Sequence, residues 1–304
     1  MDGGLRDLAQ AMFAAFGRDC VAEGAPLASV CNWGAGGAAD LLFTARSTEE
    51  LVRAVGLARR FGQPCTVLGC GANVLVSDRG IRGLVVRNRA ERIEARASAL
   101  FEVDSGTLLS TLARHALEVG LGGFEFLVGI PGTVGGAVTG NAGTRTRWFG
   151  EVLESVLLLG PDGTPRRLGA DELGLGYRES RLKRGEEVVL SAVVRGEPGD
   201  RAEIARRMRD LLGLRRNQPA GPSAGSVFKN PSDDFAGRLI EACGLKGRRV
   251  GGAEISRLHA NFILNTGGAT ARDIRALVEM AKAEVLGRTG VALEEEIRYL
   301  GEWP

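Results

Sequence analysis

Along the chain, stretches in which apolar residues recur every three or four positions alternate with short, continuous apolar runs. Leu5, Leu8, Met12, Phe13 and Phe16 follow the first rhythm and predict an amphipathic helix from about Leu5 to Glu23. Ser47 and Glu50 have capping-box spacing, and Leu51, Val55, Ala58 and Phe61 make a helical stripe that stops at Gly62. Leu108, Leu109, Leu112, Ala116, Leu117 and Val119 predict another helix, closed by Gly120 where a left-handed residue is commonly needed. Helices are also expected through Ile204, Met208, Leu211, Leu212 and Arg215, ending before Pro219, and through Phe235, Leu239, Ile240 and Cys243, ending at Gly244. Thr270 and Asp273 cap a further helix running through Val285. The short runs Pro64 to Leu68, Gly83 to Val86, Arg92 to Val103, Val152 to Leu159, Val188 to Val194 and Phe262 to Leu264 read as strands or extended segments. Val291 to Leu300 is expected as a last strand, with Glu294 and Glu296 on one face and Glu295 on the other. This mixture predicts an α+β or mixed α/β chain.

Between these elements lie loops too ordered in composition to be linkers. Asn32 to Asp40 is a glycine-rich approach to the apolar run Leu41-Leu42-Phe43. Gly69-Cys70-Gly71-Ala72-Asn73 follows a strand directly, where exposed backbone donors can cradle phosphate. It is not a dinucleotide fingerprint, because Val74-Leu75-Val76 predicts an extended segment where that motif needs a helix. From Gly120 to Gly143 glycines are interleaved with Phe124, Phe126, Leu127, Ile130, Val134 and Val138, so the segment is expected to be buried against something flat or large. Gly221 to Pro231 carries prolines and glycines that exclude a helix, leaving Ser226, Lys229 and Asn230 on a stiff loop.

At 304 residues the chain exceeds the usual size of one core, and Gly196 to Asp200, with Pro198 inside it, is the expected domain boundary. A net charge of +2 with dispersed arginines gives no footprint for nucleic acid or an anionic membrane. No apolar run reaches membrane-spanning length, and residues 1–27 lack the apolar centre of a signal peptide. Five cysteines without a Cys-x-x-Cys pair, and only two histidines, give no expected metal site. A cytoplasmic protein with reduced thiols, acting as a monomer, is expected.

Several segments, in order, resemble the UDP-N-acetylenolpyruvoylglucosamine reductase family, flavoenzymes of peptidoglycan precursor synthesis. They are Gly36 to Asp40, Leu68 to Asn73, Gly129-Ile130-Pro131-Gly132-Thr133-Val134-Gly135-Gly136-Ala137, Asn141-Ala142-Gly143, Tyr177-Arg178-Glu179-Ser180, Gly225 to Pro231, Ala253 to Ser256, His259 to Ile263 and Leu293 to Arg298. The resemblance implies an α+β fold with an FAD-binding region of the vanillyl-alcohol-oxidase-like (PCMH) type in two α+β subdomains, residues 1–62 and 63–197. A C-terminal α+β substrate domain, residues 198–304, would follow. It implies non-covalent FAD held by Gly69, Cys70, Gly71, Ala72, Asn73, Val74, Gly129, Ile130, Pro131, Gly132, Thr133, Gly135, Gly136, Ala137, Asn141 and Gly143, with NADPH as reductant. The substrate would be an enolpyruvyl UDP-sugar.

By the same resemblance Ser226 stands at the position of the proton donor, Arg178 at that of an arginine meeting the substrate carboxylate, and Glu296 at that of a carboxyl group. Glu294 is the rival for the last role; Glu296 is preferred because it directly precedes the apolar-Arg pair Ile297-Arg298. Tyr177, Lys229 and Asn230 are expected at the substrate, Lys229 against its diphosphate. His259 is expected to be structural. The chain departs from the family at Trp33, where threonine is common, and at Thr144-Arg145, where Ala-Tyr is usual, and it lacks the inserted tyrosine of the longer class. Two other readings stay open: a flavin oxidase of an alcohol or sugar on the same fold, with His259 as its base, and a non-catalytic sugar-nucleotide binder.

Overall fold

The structure, a computed structural model, describes residues 3–97, 99–215 and 218–303. Ser98, within the segment expected to be extended from Arg92 to Val103, lies outside them. Contacts divide the chain into two interleaved units. The first comprises Met1–Val21, Phe43–Cys70 and Val86–Arg216, and the second Ala22–Leu42, Gly71–Val85 and Asn217–Pro304. Gly196 to Asp200 leads into the helix Arg201–Leu214, which belongs to the first unit, so the last division follows Arg216 rather than residue 197. That helix is held by its buried Ile204 and by Arg207, which donates to the buried Glu125 at 2.7 Å.

The first unit is built on a five-stranded antiparallel sheet in the order Pro165–Gly169, Leu153–Leu159, Val188–Arg195, Leu100–Asp104, Ile93–Ala97. The expected single segment Arg92 to Val103 is thus a hairpin, turned at Ala99 with φ 66°. Helix Leu109–Glu118 buries Leu109, Leu112, Ala113 and Ala116 in a core shared with Phe101, Val103, Val156 and Val194. Within the glycine-rich segment the chain forms a seven-residue helix, Val134–Gly140, begun by Thr133 and ended by Asn141 in a left-handed conformation. The N-terminal helix spans Gly3–Phe16 and stops seven residues short of expectation, because Gly17 turns at φ 91° and residues 18–20 form a 3-10 turn.

The second unit packs the helices Ala236–Ala242 and Ala271–Thr289 with the antiparallel strands Arg249–Val250, Ala253–Ile255 and Ile263–Asn265. Thr270 and Asp273 form the expected capping box on the long helix. The Asp78 carboxylate accepts two more of that helix's leading N–H groups, from Ala271 at 2.8 Å and Arg272 at 3.0 Å. Only Arg298–Leu300 of the expected last strand is regular, and it pairs in parallel with Val74–Val76. Residues 291–297 are irregular apart from a bridge between Glu295 and Phe228, because their backbone partner is a loop rather than a strand. No helix among the described residues is long and apolar enough to cross a membrane.

Candidate active site

In the second unit, the stiff loop 221–231 runs antiparallel to residues 294–296. Glu296 N–H donates to the Val227 carbonyl at 2.8 Å, and Lys229 N–H donates to the Glu294 carbonyl at 2.8 Å. Val227 therefore lies across from Glu296, with Ser226 next to it in the chain. The buried Asn261 clamps this loop: its Oδ1 accepts Phe228 N–H at 2.9 Å and its Nδ2 donates to the Phe228 carbonyl at 2.8 Å. Asn73 joins the same place, its Nδ2 donating to the Glu296 carbonyl at 2.9 Å while its own carbonyl accepts Arg298 N–H. Ser226 and Glu296 are both half-buried, and the Ser226 hydroxyl makes no hydrogen bond to a described residue.

Charge around this loop is set by Lys229. Its buried ammonium meets Glu294 Oε1 at 2.5 Å, and the Glu294 side chain is 70% exposed. The Glu294 side chain thus pairs with Lys229, and the backbones of Glu294 and Glu296 are both tied to the loop. Asn230 Oδ1 accepts Ala236 N–H at 3.1 Å and so begins the helix Ala236–Ala242. His259 is structural here. Its Nδ1 accepts Asn261 N–H at 3.2 Å, its ring meets Phe262 edge-on, and burial pushes its pKa down so that the accepting, neutral form is favoured. Trp33, the departure from the family pattern, is a core side chain of this unit, and its Nε1–H donates to the Ile263 carbonyl at 2.8 Å.

In the first unit a second group of the expected residues converges. Arg178 sits at a tight turn, where Gly176 and Glu179 exchange backbone hydrogen bonds, and holds φ 57°. A left-handed conformation is uncommon and costly for a side chain of this size, on the order of 1 kcal/mol, and such strain concentrates at functional positions. Arg178 Nη2 donates to the Gly143 carbonyl at 2.9 Å, and Lys183 donates to the Arg178 carbonyl. Asn141 secures the turn from below, donating to the Gly176 carbonyl at 2.9 Å and accepting Gly150 N–H at 2.9 Å. Tyr177, beside Arg178, is exposed. Gly69 packs against Thr133 so closely that a Cβ would stand 2.4 Å from its Oγ1.

A flat cofactor fits this group on two observations. Helix Val134–Gly140 presents Gly136 and Gly140, one turn apart, with no atom closer than 3.6 Å to a Cβ at the first and none within 4 Å at the second. This leaves an open face of bare backbone. The buried Thr107 Oγ1 has no hydrogen-bond partner, and the Thr107 carbonyl accepts Val134 N–H at the start of the same helix. Gly69, Cys70, Gly129 to Ala137, Asn141, Gly143, Tyr177 and Arg178 belong to the first unit, while Gly71, Ala72, Asn73, Val74, Ser226, Lys229, Asn230 and Glu296 belong to the second.

Two side chains that brace these segments escaped the sequence reading. Asn261 lay inside a recognised segment, but nothing local signals that its amide would grip a backbone 33 positions away. Arg215 was legible only as the end of a helical stripe. Its Nη1 donates to the Gly129 carbonyl at 2.6 Å, and its pKa is lowered by burial and then by the neighbouring Arg178.

Two family models match the chain. The C-terminal domain of UDP-N-acetylenolpyruvoylglucosamine reductase matches residues 217–300, and an FAD binding domain matches residues 39–169. A UDP-N-acetylenolpyruvoylglucosamine reductase of Rubrobacter xylanophilus is 46% identical over 283 residues, covering 91% of this chain and 94% of its own. One from Gloeobacter violaceus is 43% identical over 289 residues, covering 93% and 97%. The crystal structure of UDP-N-acetylenolpyruvylglucosamine reductase from Thermus caldophilus superimposes with a TM-score of 0.80 at 38% identity, over 92% of this chain and 98% of that one. At 16% identity, the glucose dehydrogenase Phl p 4.0202 shares the fold over 64% of this chain and 44% of its own, with a TM-score of 0.51.

Proposed function

The chain belongs to the UDP-N-acetylenolpyruvoylglucosamine reductase family, and from that membership we propose which of its residues carry the reaction. It is an FAD-dependent oxidoreductase of α+β fold, with an FAD-binding region of the vanillyl-alcohol-oxidase-like type. Its reaction reduces the enolpyruvyl ether of UDP-N-acetylglucosamine enolpyruvate to UDP-N-acetylmuramate, with NADPH as reductant. When held by Gly69 to Val74 and the residues around helix Val134–Gly140, FAD would supply the hydride chemistry for the enol ether.

The protein's own part is to manage the charge that this chemistry creates. Negative charge grows on the carbon next to the substrate carboxylate. Arg178 holds that carboxylate with its planar fork and resists the build-up, the preorganised electrostatics that usually gives the largest rate term. Ser226 then gives its hydroxyl proton to the same carbon. Glu296 supplies the carboxyl group that stands by the substrate carboxylate. Lys229, Asn230 and Tyr177 meet the rest of the nucleotide, Lys229 exchanging Glu294 for the diphosphate. The residues around the open face of Val134–Gly140, together with Gly69 to Val74, hold the FAD. We place the enzyme in the cytoplasm, where NADPH and nucleotide sugars are available, and take the monomer as its working form.

The observation that most supports this reading is the clamp of Asn261 and Asn73, which keeps the Ser226 loop against Glu296. The oxidase alternative loses its base, because His259 Nδ1 already accepts Asn261 N–H. Stopped-flow spectra of the half-reactions provide the test. Ser226→Ala should leave flavin bleaching by NADPH near wild type and slow the return of colour with substrate by about 10²- to 10⁴-fold. Equal loss in both halves would make Ser226 a structural residue.

A further inference from the structure

We infer that His259 is a positioning residue for substrate reduction: its neutral Nδ1 fixes Asn261 and, through Asn261, the loop that carries Ser226. This rests on the reading of Ser226 given above. Every polar group of Asn261 is engaged. Its N–H donates to His259 Nδ1 at 3.2 Å, its carbonyl accepts Val227 N–H at 2.9 Å, and its side-chain amide holds both backbone groups of Phe228. The imidazole nitrogen thus sets the backbone from which the clamp reaches. It takes the place that a side-chain oxygen occupies in an Asx turn, accepting the N–H two residues on.

The ring is held in that pose from several sides. Ser256, only 2% exposed, accepts His259 N–H at 3.3 Å, and the His259 carbonyl accepts Phe262 N–H at 3.0 Å. The Cε1–Nδ1 edge packs on Gly237 of helix Ala236–Ala242, where a Cβ would come within 2.9 Å of Cε1 and 3.4 Å of Nδ1. A side chain there would push the ring off Asn261. His259 as a whole residue is exposed, so protons from solvent reach it. Once protonated, Nδ1 is a donor facing the Asn261 N–H, and the hydrogen bond is lost. Burial is the largest influence opposing that protonation. Of the charges that act on the ring, Lys246 opposes protonation and Glu241 favours it, and these two pair with each other at 2.7 Å. Phe262, packed edge-on, brings no charge. The acceptor is therefore present at neutral pH and is lost as pH falls below about 6.5, the ordinary histidine value.

The test compares His259→Asn, whose Oδ1 keeps an acceptor that does not titrate, with His259→Phe, which keeps a ring and has none. Stopped-flow half-reactions and amide hydrogen exchange are followed on the holoenzyme between about pH 8 and 5.5, with flavin content as the check on folding. Across that range, reoxidation of the reduced flavin by the enolpyruvyl UDP-sugar should slow in the wild type by about 2- to 10-fold more than in His259→Asn, the factor one hydrogen bond is worth. His259→Phe should be slowed by a similar factor already at the upper pH, and protection of the Asn261 and Phe228 amides should follow the same pattern. Flavin reduction by NADPH should be alike in all three proteins at each pH. Equal pH profiles for the wild type and His259→Asn would overturn the inference, as would a wild-type rate in His259→Phe or lost protection with normal reoxidation. Slowed reduction by NADPH in either variant would also overturn it, assigning His259 to general packing. Ser226→Ala, measured alongside, separates the two readings. Normal reoxidation in Ser226→Ala with a slow His259→Phe would remove the role of Ser226 and leave His259 positioning the loop for another of its residues. A slow Ser226→Ala with a normal His259→Phe would do the reverse.

Discussion

Replacing Asn261 by Ala tests whether the active loop is positioned by its clamp. The substitution deletes two hydrogen bonds of 2.9 and 2.8 Å to Phe228 and leaves that residue's N–H and carbonyl without partners, at a position where Asn261 is only 3% exposed. An unpaired buried backbone group costs about 1–3 kcal/mol, so with partial relaxation the loop should lose about 2–4 kcal/mol. Because the chain has two units, a single unfolding midpoint would blur a local effect, and hydrogen exchange is the better measurement. The Phe228 amide should exchange roughly 30- to 700-fold faster, the factor equivalent to that energy. The same variant should reduce its flavin with NADPH normally and reoxidise it roughly 10- to 100-fold more slowly, since a displacement near 1 Å is enough to cost that much. Unchanged exchange at Phe228 would refute the energetic argument. Faster exchange with normal reoxidation would refute the link from the clamp to Ser226.

Two further outcomes are expected. His259 has a pKa below the ordinary histidine value, chiefly through burial, so its neutral form is preferred in the folded protein. Its contribution to stability is then full above about pH 6.5 and is lost as pH falls through that value toward the folded pKa. Denaturant midpoints should drop between pH 7.5 and 5.5 in the wild type and less steeply in His259→Gln; equal slopes would show that another group is responsible. Asp78→Ala removes two carboxylate contacts from the start of helix Ala271–Thr289, which should cost about 1–2 kcal/mol and speed exchange at the Ala271 and Arg272 amides. Retained protection at those amides would mean that the Thr270 capping box suffices alone.

Features built from neighbours in the chain were legible. The capping box at Thr270 and Asp273 and the left-handed closure at Gly120 rest on interactions within a few residues. The last strand was not, because residues 291–297 form a strand-like segment only where Phe228 supplies a partner. Where the first helix stopped was also obscure, since polar residues after Phe16 are compatible with a helix face or a turn.

The amino-acid order by itself determined which segments could be helix, strand or rigid loop, and it carried the family's motifs with Ser226, Arg178 and Glu296 among them. Tertiary structure decided what holds these residues: Asn261 at Phe228, Asn73 at Glu296 and Arg215 at Gly129 join positions 33, 223 and 86 apart. Short-range sterics and hydrogen bonding are written in adjacent residues. A side-chain amide or guanidinium gripping a distant carbonyl leaves no local trace, because its partner is chosen by packing.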